Sequence, residues 1–119
     1  MNEHEKLNYV EFSASNLAET KSFFSSVFGW EFEDFGPEYA AFSGEGLDGG
    51  FFKSEQSSST NNGAALLIFY SNNLEDTITK VKDSGGKIIK PIFSFPGGHR
   101  FHFTEPSGNE FAVWSDAGE

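Results

Sequence analysis

The chain says nearly the same thing twice. Asn8-Tyr-Val-Glu-Phe-Ser-Ala-Ser-Asn-Leu-Ala-Glu-Thr20 lines up with Ala65-Leu-Leu-Ile-Phe-Tyr-Ser-Asn-Asn-Leu-Glu-Asp-Thr77, so that Phe12 falls on Phe69, Asn16 on Asn73, Leu17 on Leu74 and Thr20 on Thr77. Further on, Gly29 falls on Gly86. Each copy reads as a strand, a capped helix, a glycine and more strands. A half-chain of this length buries too little surface to stand alone, so both copies are expected to pack into one domain over 1–119.

Residues 7–14 alternate, with Tyr9, Glu11 and Ser13 on one side and Val10, Phe12 and Ala14 on the other, as in a half-buried strand. Asn16 then caps a helix whose apolar residues Leu17, Phe23, Phe24, Val27 and Phe28 recur at helical spacing and which stops at Gly29. Strands are predicted over 30–35, 39–43 and 50–54. The polar stretch 55–63 has no apolar period and links module one (7–54) to module two (64–115).

The second module opens on Ala65–Tyr70, so uniformly apolar that cover on both sides is expected. Asn73 caps a second helix ending at Gly85-Gly86. Pro91 sits inside the predicted strand 87–95 and argues for an edge or a bulge. Pro96-Gly-Gly98 reads as a loop carrying His99 and Arg100, either closing over a ligand or simply solvated. A last hairpin is predicted from 101–104 and 110–115. The order is β-α-β-β-β, twice.

Phenylalanine dominates the aromatic residues, 15 beside 3 Tyr and 2 Trp, so a sizeable core is within reach at this length. With no cysteine, thiolate chemistry and Cys-based zinc sites are excluded. A net charge of −10 without a basic patch argues against nucleic acid. There is no apolar run long enough to span a membrane and no secretory leader, so a cytoplasmic setting is expected.

Four segments resemble the vicinal oxygen chelate superfamily, which includes glyoxalase I, the bleomycin-resistance proteins and the extradiol dioxygenases. They are Tyr9-Val-Glu-Phe-Ser-Ala-Ser-Asn-Leu17, Phe23-Phe24-Ser-Ser-Val-Phe-Gly-Trp30, Gly85-Gly86-Lys-Ile-Ile89 and Phe103-Thr-Glu-Pro-Ser-Gly-Asn109. The last is similar to that family's Asp-Pro-Asp-Gly-Asn turn. The resemblance implies an α+β fold in which two tandem modules form a curved mixed sheet around a cleft, with helices on the outer face, and a homodimer.

Enzymes of that family hold a divalent metal with His and Glu. Carried over position by position, the ligand sites are Tyr9, Leu66, Ala112 and a residue around Gly50–Phe52. None is an imidazole or a carboxylate, so the resemblance implies the cup without its usual metal, and no cofactor is expected.

Strand alternation predicts which side chains face the cleft: Tyr9, Glu11, Leu66, Ile68, Arg100, His102 and Trp114 as ligand-binding candidates, with Ser13, Tyr70 and Ala112 beside them. Glu11 is the one catalytic candidate, as a desolvated general base. Its alternatives are an ion pair with Arg100 or another cation, and a place at a wet rim. His102 is a proton shuttle, a partner of Glu11 in an unusual metal site, or a hydrogen-bonded structural histidine. Trp114 stacks on ligand or joins the core, and Trp30 reads as core or dimer contact. The first functional expectation is metal-free binding of a small aromatic or cationic molecule. The alternatives are a metal-dependent lyase, isomerase or dioxygenase acting on a small oxygenated metabolite, and a module with a vestigial cleft whose work is dimerisation or partner contact.

Overall fold

A computed structural model describes residues 2–116, so Met1 and 117–119 of the expected domain lie outside the described residues. Module one runs β1 (Tyr9–Ala14), α1 (Leu17–Phe28), β2 (Phe32–Asp34), β3 (Tyr39–Phe42) and β4 (Asp48–Lys53). Module two repeats the order with β5 (Leu67–Tyr70), α2 (Leu74–Asp83), β6 (Lys87–Phe95), β7 (Gly98–Thr104) and β8 (Glu110–Ser115). Each module builds its own open four-stranded mixed sheet, ordered β1-β4-β3-β2 and β5-β8-β7-β6. β1 runs parallel to β4 and β5 parallel to β8, while the other neighbours are antiparallel. This is the expected α+β fold of two tandem β-α-β-β-β modules, with the mixed sheet divided into one per module.

The helices begin where the sequence caps them. The Asn16 side chain accepts from the Glu19 N–H at 3.0 Å, and Asn73 accepts from Asp76 N–H at 3.1 Å, satisfying donors that the first turn leaves free. Gly29 ends α1 with φ 75°, a left-handed conformation that only glycine adopts freely.

One core runs through both modules. Phe12, Phe42 and Phe51 from the first sheet meet Phe101, Phe103, Phe111 and Val113 from the second, with Phe23, Phe24 and Val27 of α1 and Leu74 and Val81 of α2 laid against them. The rings touch across the modules: Phe12 lies 5.1 Å from Phe111 and Phe23 5.7 Å from Phe103. Offset and tilted ring pairs of this kind add to the area they bury.

Three expectations need correction or extension. β5 is an edge strand rather than one covered on both faces, since Ile68 and Tyr70 are exposed while Leu67 and Phe69 are half-buried. The segment after Pro96 is strand from Gly98 onward, so His99 and Arg100 stand in β7 and not in a loop. Gly98 is pressed so closely onto the β8 end that an added Cβ would lie 2.1 Å from the Ser115 carbonyl oxygen. Pro91 does sit in an edge strand, and β6 carries register irregularities on both sides of Lys90.

The turn between β7 and β8 fastens module two to module one. Buried Glu105 accepts from the Thr20 hydroxyl at 2.6 Å, from the Ser107 N–H at 3.1 Å, and from the Asn109 N–H and side-chain amide at 3.1 and 2.8 Å. Ser107 accepts from the Asn16 N–H, and Asn109 donates to the Ser13 carbonyl and accepts from Ser58 N–H. The polar linker is therefore bound rather than loose, and it includes a single 3-10 turn at Thr60–Asn62. Burial pushes the Glu105 carboxyl above its ordinary pKa, against the pull of its four donors. Replacing it by Gln turns two acceptor sites into a donor facing donors. Glu105→Gln should lower unfolding stability by about 1–3 kcal/mol in urea denaturation, with a larger loss below pH 4, because a carboxyl whose folded pKa is raised contributes stability that is fully present below its ordinary pKa and is lost as pH rises.

Candidate functional site

Each sheet turns one face to the helices. The other face is open on the first sheet, whereas on the second it is exposed at Ile68 and Tyr70 but buried at His102, Glu110 and Ala112. On the first sheet, Tyr9, Glu11 and Ser13 alternate with buried Phe12 and Ala14, and so stand on the open face beside Tyr39 and Gly50. The Tyr9 and Tyr39 hydroxyls are 2.6 Å apart, and Tyr39 donates to Glu11 Oε2 at 3.0 Å. With that proton committed to Glu11, Tyr9 is the donor to Tyr39. The cluster then offers outward only lone pairs, a negative carboxylate and two ring faces. Burial, followed by the hydrogen bonds to Tyr9 and Glu11, raises the Tyr39 pKa above the ordinary tyrosine range, so the phenol stays neutral.

Gly50 makes this arrangement possible. A Cβ there would lie 2.2 Å from the Tyr39 hydroxyl oxygen, so the phenol occupies the space that any side chain at position 50 would need. Position 50 lies in one of the two places on this sheet where the family's metal ligands were expected, and Tyr9 holds the other. The two sites in module two are the half-buried Leu66 and the fully buried Ala112. Among the described residues, no group of three His, Cys, Asp or Glu side chains stands close enough to hold a metal ion. The donor set does not fit the family's metal.

On the second sheet, register places His102 opposite Ala112, Arg100 opposite Trp114, and Ile68 beside Ala112 on one face. His102 is more deeply buried than a half-exposed strand position suggests, at 2% exposure. Its Nδ1 lies 2.8 Å from Glu110 Oε2, while Glu110 Oε1 accepts from the Thr60 N–H and hydroxyl at 2.7 and 2.9 Å. Burial tends to raise the Glu110 pKa, but the bonds from His102 and Thr60 outweigh it and hold it below the ordinary value. An ionised Glu110 only accepts, which assigns the proton to Nδ1 and leaves buried Nε2 as a lone-pair site without a hydrogen-bond partner. Arg100 lays its guanidinium over Phe93 and Phe95, at 5.4 and 5.7 Å from the ring centres. Trp114 packs against Tyr70 and Phe95.

The candidates therefore fall into two groups. Tyr9 and Glu11 meet on the first sheet, while Ile68, Arg100, His102 and Trp114 share the second, with Leu66 just ahead of β5. Among the described residues no hydrogen bond, ion pair or ring contact joins the groups, and Glu11 bonds to Tyr39 rather than to Arg100. Glu11 is also exposed, so the burial on which a general-base role depends is missing. Tyr39 and Glu110 escaped the sequence reading. Glu110 had a signal, since it lies two residues before Ala112 and so on the same face of β8; Tyr39 had none short of the β3–β4 register.

Two helix-backed sheets that share a core, with β-α-β-β-β order in each half, define the glyoxalase-like class of α+β proteins. The chain belongs to the Glyoxalase/Bleomycin resistance protein/Dioxygenase superfamily, whose sequence model matches residues 6–113. No curated protein matches it. Among solved structures it is similar to a glyoxalase/bleomycin resistance protein/dioxygenase family enzyme from Burkholderia phytofirmans PsJN, at 17% identity, TM-score 0.78, and 92% and 98% coverage of this chain and that one. It is also similar to the fosfomycin resistance protein FosX from Listeria monocytogenes, at 16% identity, TM-score 0.76 and 93% coverage of each. Lactoylglutathione lyase from Agrobacterium tumefaciens aligns at 17% identity, TM-score 0.69 and 93% coverage of each. At these identities the likeness is one of fold.

Two outcomes test the local geometry. Gly50→Ala should displace the Tyr39 phenol and bring its ionisation back toward about 10, read by ultraviolet titration of the tyrosines. Glu110, with its folded pKa lowered, contributes stability that is fully present above the ordinary carboxyl pKa and is lost as pH falls through the lowered value. Wild type should therefore lose more stability than Glu110→Gln between about pH 5 and pH 3, read by urea denaturation at each pH.

Proposed function

We propose that this protein binds a small molecule, aromatic in its body and cationic at one end, without the metal that its superfamily commonly uses. The observation that carries this reading is the Tyr9–Tyr39–Glu11 cluster on the open face of the first sheet. All its protons are spent internally, so what it presents to a ligand is a carboxylate, lone pairs and the π faces of two phenols. A protonated amine satisfies all three. The net charge of −10 works in the same direction by raising the local concentration of cations. The reading as a metal-dependent lyase, isomerase or dioxygenase finds no imidazole or carboxylate set at Tyr9, Gly50, Leu66 and Ala112 to rest on.

A homodimer is part of the proposal. The two groups of candidate residues stand on different sheets, and a second copy that lays one open face over the other would close a cleft around one ligand. β1 and β5, both at sheet edges, carry exposed Tyr9, Ile68 and Tyr70 for such a contact.

Benzylamine, benzyl alcohol and benzoate share a ring and differ in charge, and calorimetric titration with the three is the test. Benzylamine should bind best, and Glu11→Gln should weaken it about tenfold, the scale of one charge-assisted hydrogen bond. Equal binding of benzyl alcohol, or indifference to Glu11→Gln, would remove the cationic part of the reading. Near-stoichiometric nickel, zinc, manganese or iron in protein purified without chelator would remove the metal-free part.

A further inference from the structure

An apolar recess lies apart from the Tyr9–Tyr39–Glu11 cluster. It lies in the seam where the edge strands β1 and β5 approach each other without pairing, a cavity of about 510 Å³. Its floor is the Phe12–Phe111 pair that joins the two modules, 5.1 Å between ring centres. One wall is Trp30, stacked at 4.2 Å and 28° on Phe42. Leu67 and Phe69, the helix-facing side of β5, continue the lining, with the Phe69 ring centre 5.9 Å from that of Trp30. Of the side chains expected from sequence to face the cleft, Ile68 and Tyr70 reach it.

We propose that this seam is a ligand site in its own right, separate from that cluster, and that it takes a flat aromatic amine of about two or three fused rings. The rings supply the shape and the apolarity, since aromatic walls facing unfilled space forfeit contacts that a flat guest restores. The charge comes from the rim. Among the described residues of the lining, Glu45, on the turn between β3 and β4, is the one charged side chain, with no Lys, Arg or His beside it. The hydroxyl of Tyr70, also at the rim, donates its proton to Asp116 at 2.6 Å and has only lone pairs left. The side chains of the rim thus accept and never donate, so they suit a protonated nitrogen and repel a carboxylate. The proposal does not depend on the Tyr9–Tyr39–Glu11 reading, because no residue of that cluster lines the seam.

Titration of the labelled full-length protein with 1-naphthylmethylamine, 1-naphthalenemethanol and 1-naphthoate tests both claims. The indole N–H resonance of Trp30 is the reporter, assigned with Trp114→Phe because the chain has 2 tryptophans. The amine should move that resonance at the lowest concentration, the alcohol at a higher one and the acid least. Glu45→Gln, a change on an exposed turn, should weaken the amine about two- to fivefold and leave the alcohol unchanged, the scale of one exposed ion pair. Leu47→Trp, at the mouth, should block all three, while Glu11→Gln should leave Trp30 responding as in wild type. The proposal is overturned if Trp30 does not respond, if the acid binds as well as the amine, or if Glu45→Gln changes nothing. It is overturned equally if Leu47→Trp alters the oligomeric state in sedimentation instead of probe binding, which would make the seam a contact between copies.

Discussion

The joint between the modules hangs on one buried carboxylate. Glu105 sits in the turn before β8 and gathers donors from its own turn and from Thr20 of α1. A buried charged group is costly unless its hydrogen-bonding capacity is filled, and here four donors fill it. The same turn reaches Asn16 through Ser107, Ser13 through Asn109, and the linker through Ser58. Because Asn16 is also the cap of α1, the polar clasp fixes both the start of that helix and the position of module two against it. The apolar core packs around the same geometry.

The open faces follow from that geometry. With the phenylalanines committed to the helix side, each strand turns its alternate residues outward, and those are the positions where chemistry can reside. On the first sheet, glycine at position 50 admits the Tyr39 phenol, and a hydroxyl chain to Glu11 occupies the ground that metal ligands hold elsewhere in the superfamily. On the second, Glu110 fixes the tautomer of His102 and binds the linker through Thr60. Of the residues that depart from the family's ligand pattern, Tyr9 is thus built into a network of its own.

Much of the fold was legible because its signals are short-range. The alternation along 9–14, the caps at Asn16 and Asn73, and the left-handed glycine at 29 each depend on residues within one turn or one strand. The resemblance, carried by four short segments, named the positions where that family's metal ligands would stand, and the structure shows what surrounds Tyr9, Gly50, Leu66 and Ala112. Errors arose where neighbours rather than residues decide. Ala65–Tyr70 looked doubly covered because its composition is apolar, yet its place at the sheet edge exposes Ile68 and Tyr70. His99 and Arg100 looked like loop because two glycines precede them, yet Gly98 is needed for close backbone contact inside a strand.

By itself, then, the sequence determined the repeat, the order of elements and the buried phenylalanine stripe. Only the tertiary structure decided which polar groups meet: Thr20 with Glu105 across 85 residues, Tyr9 and Tyr39 with Glu11, His102 with Glu110. It alone decided that the expected cleft residues divide between two sheets, and that an apolar seam opens between β1 and β5. The physical reason is the range of the forces. Capping and alternation are settled by local backbone geometry, whereas a hydrogen bond between distant residues, or a space left empty, exists only once strand register and module packing have set the distances.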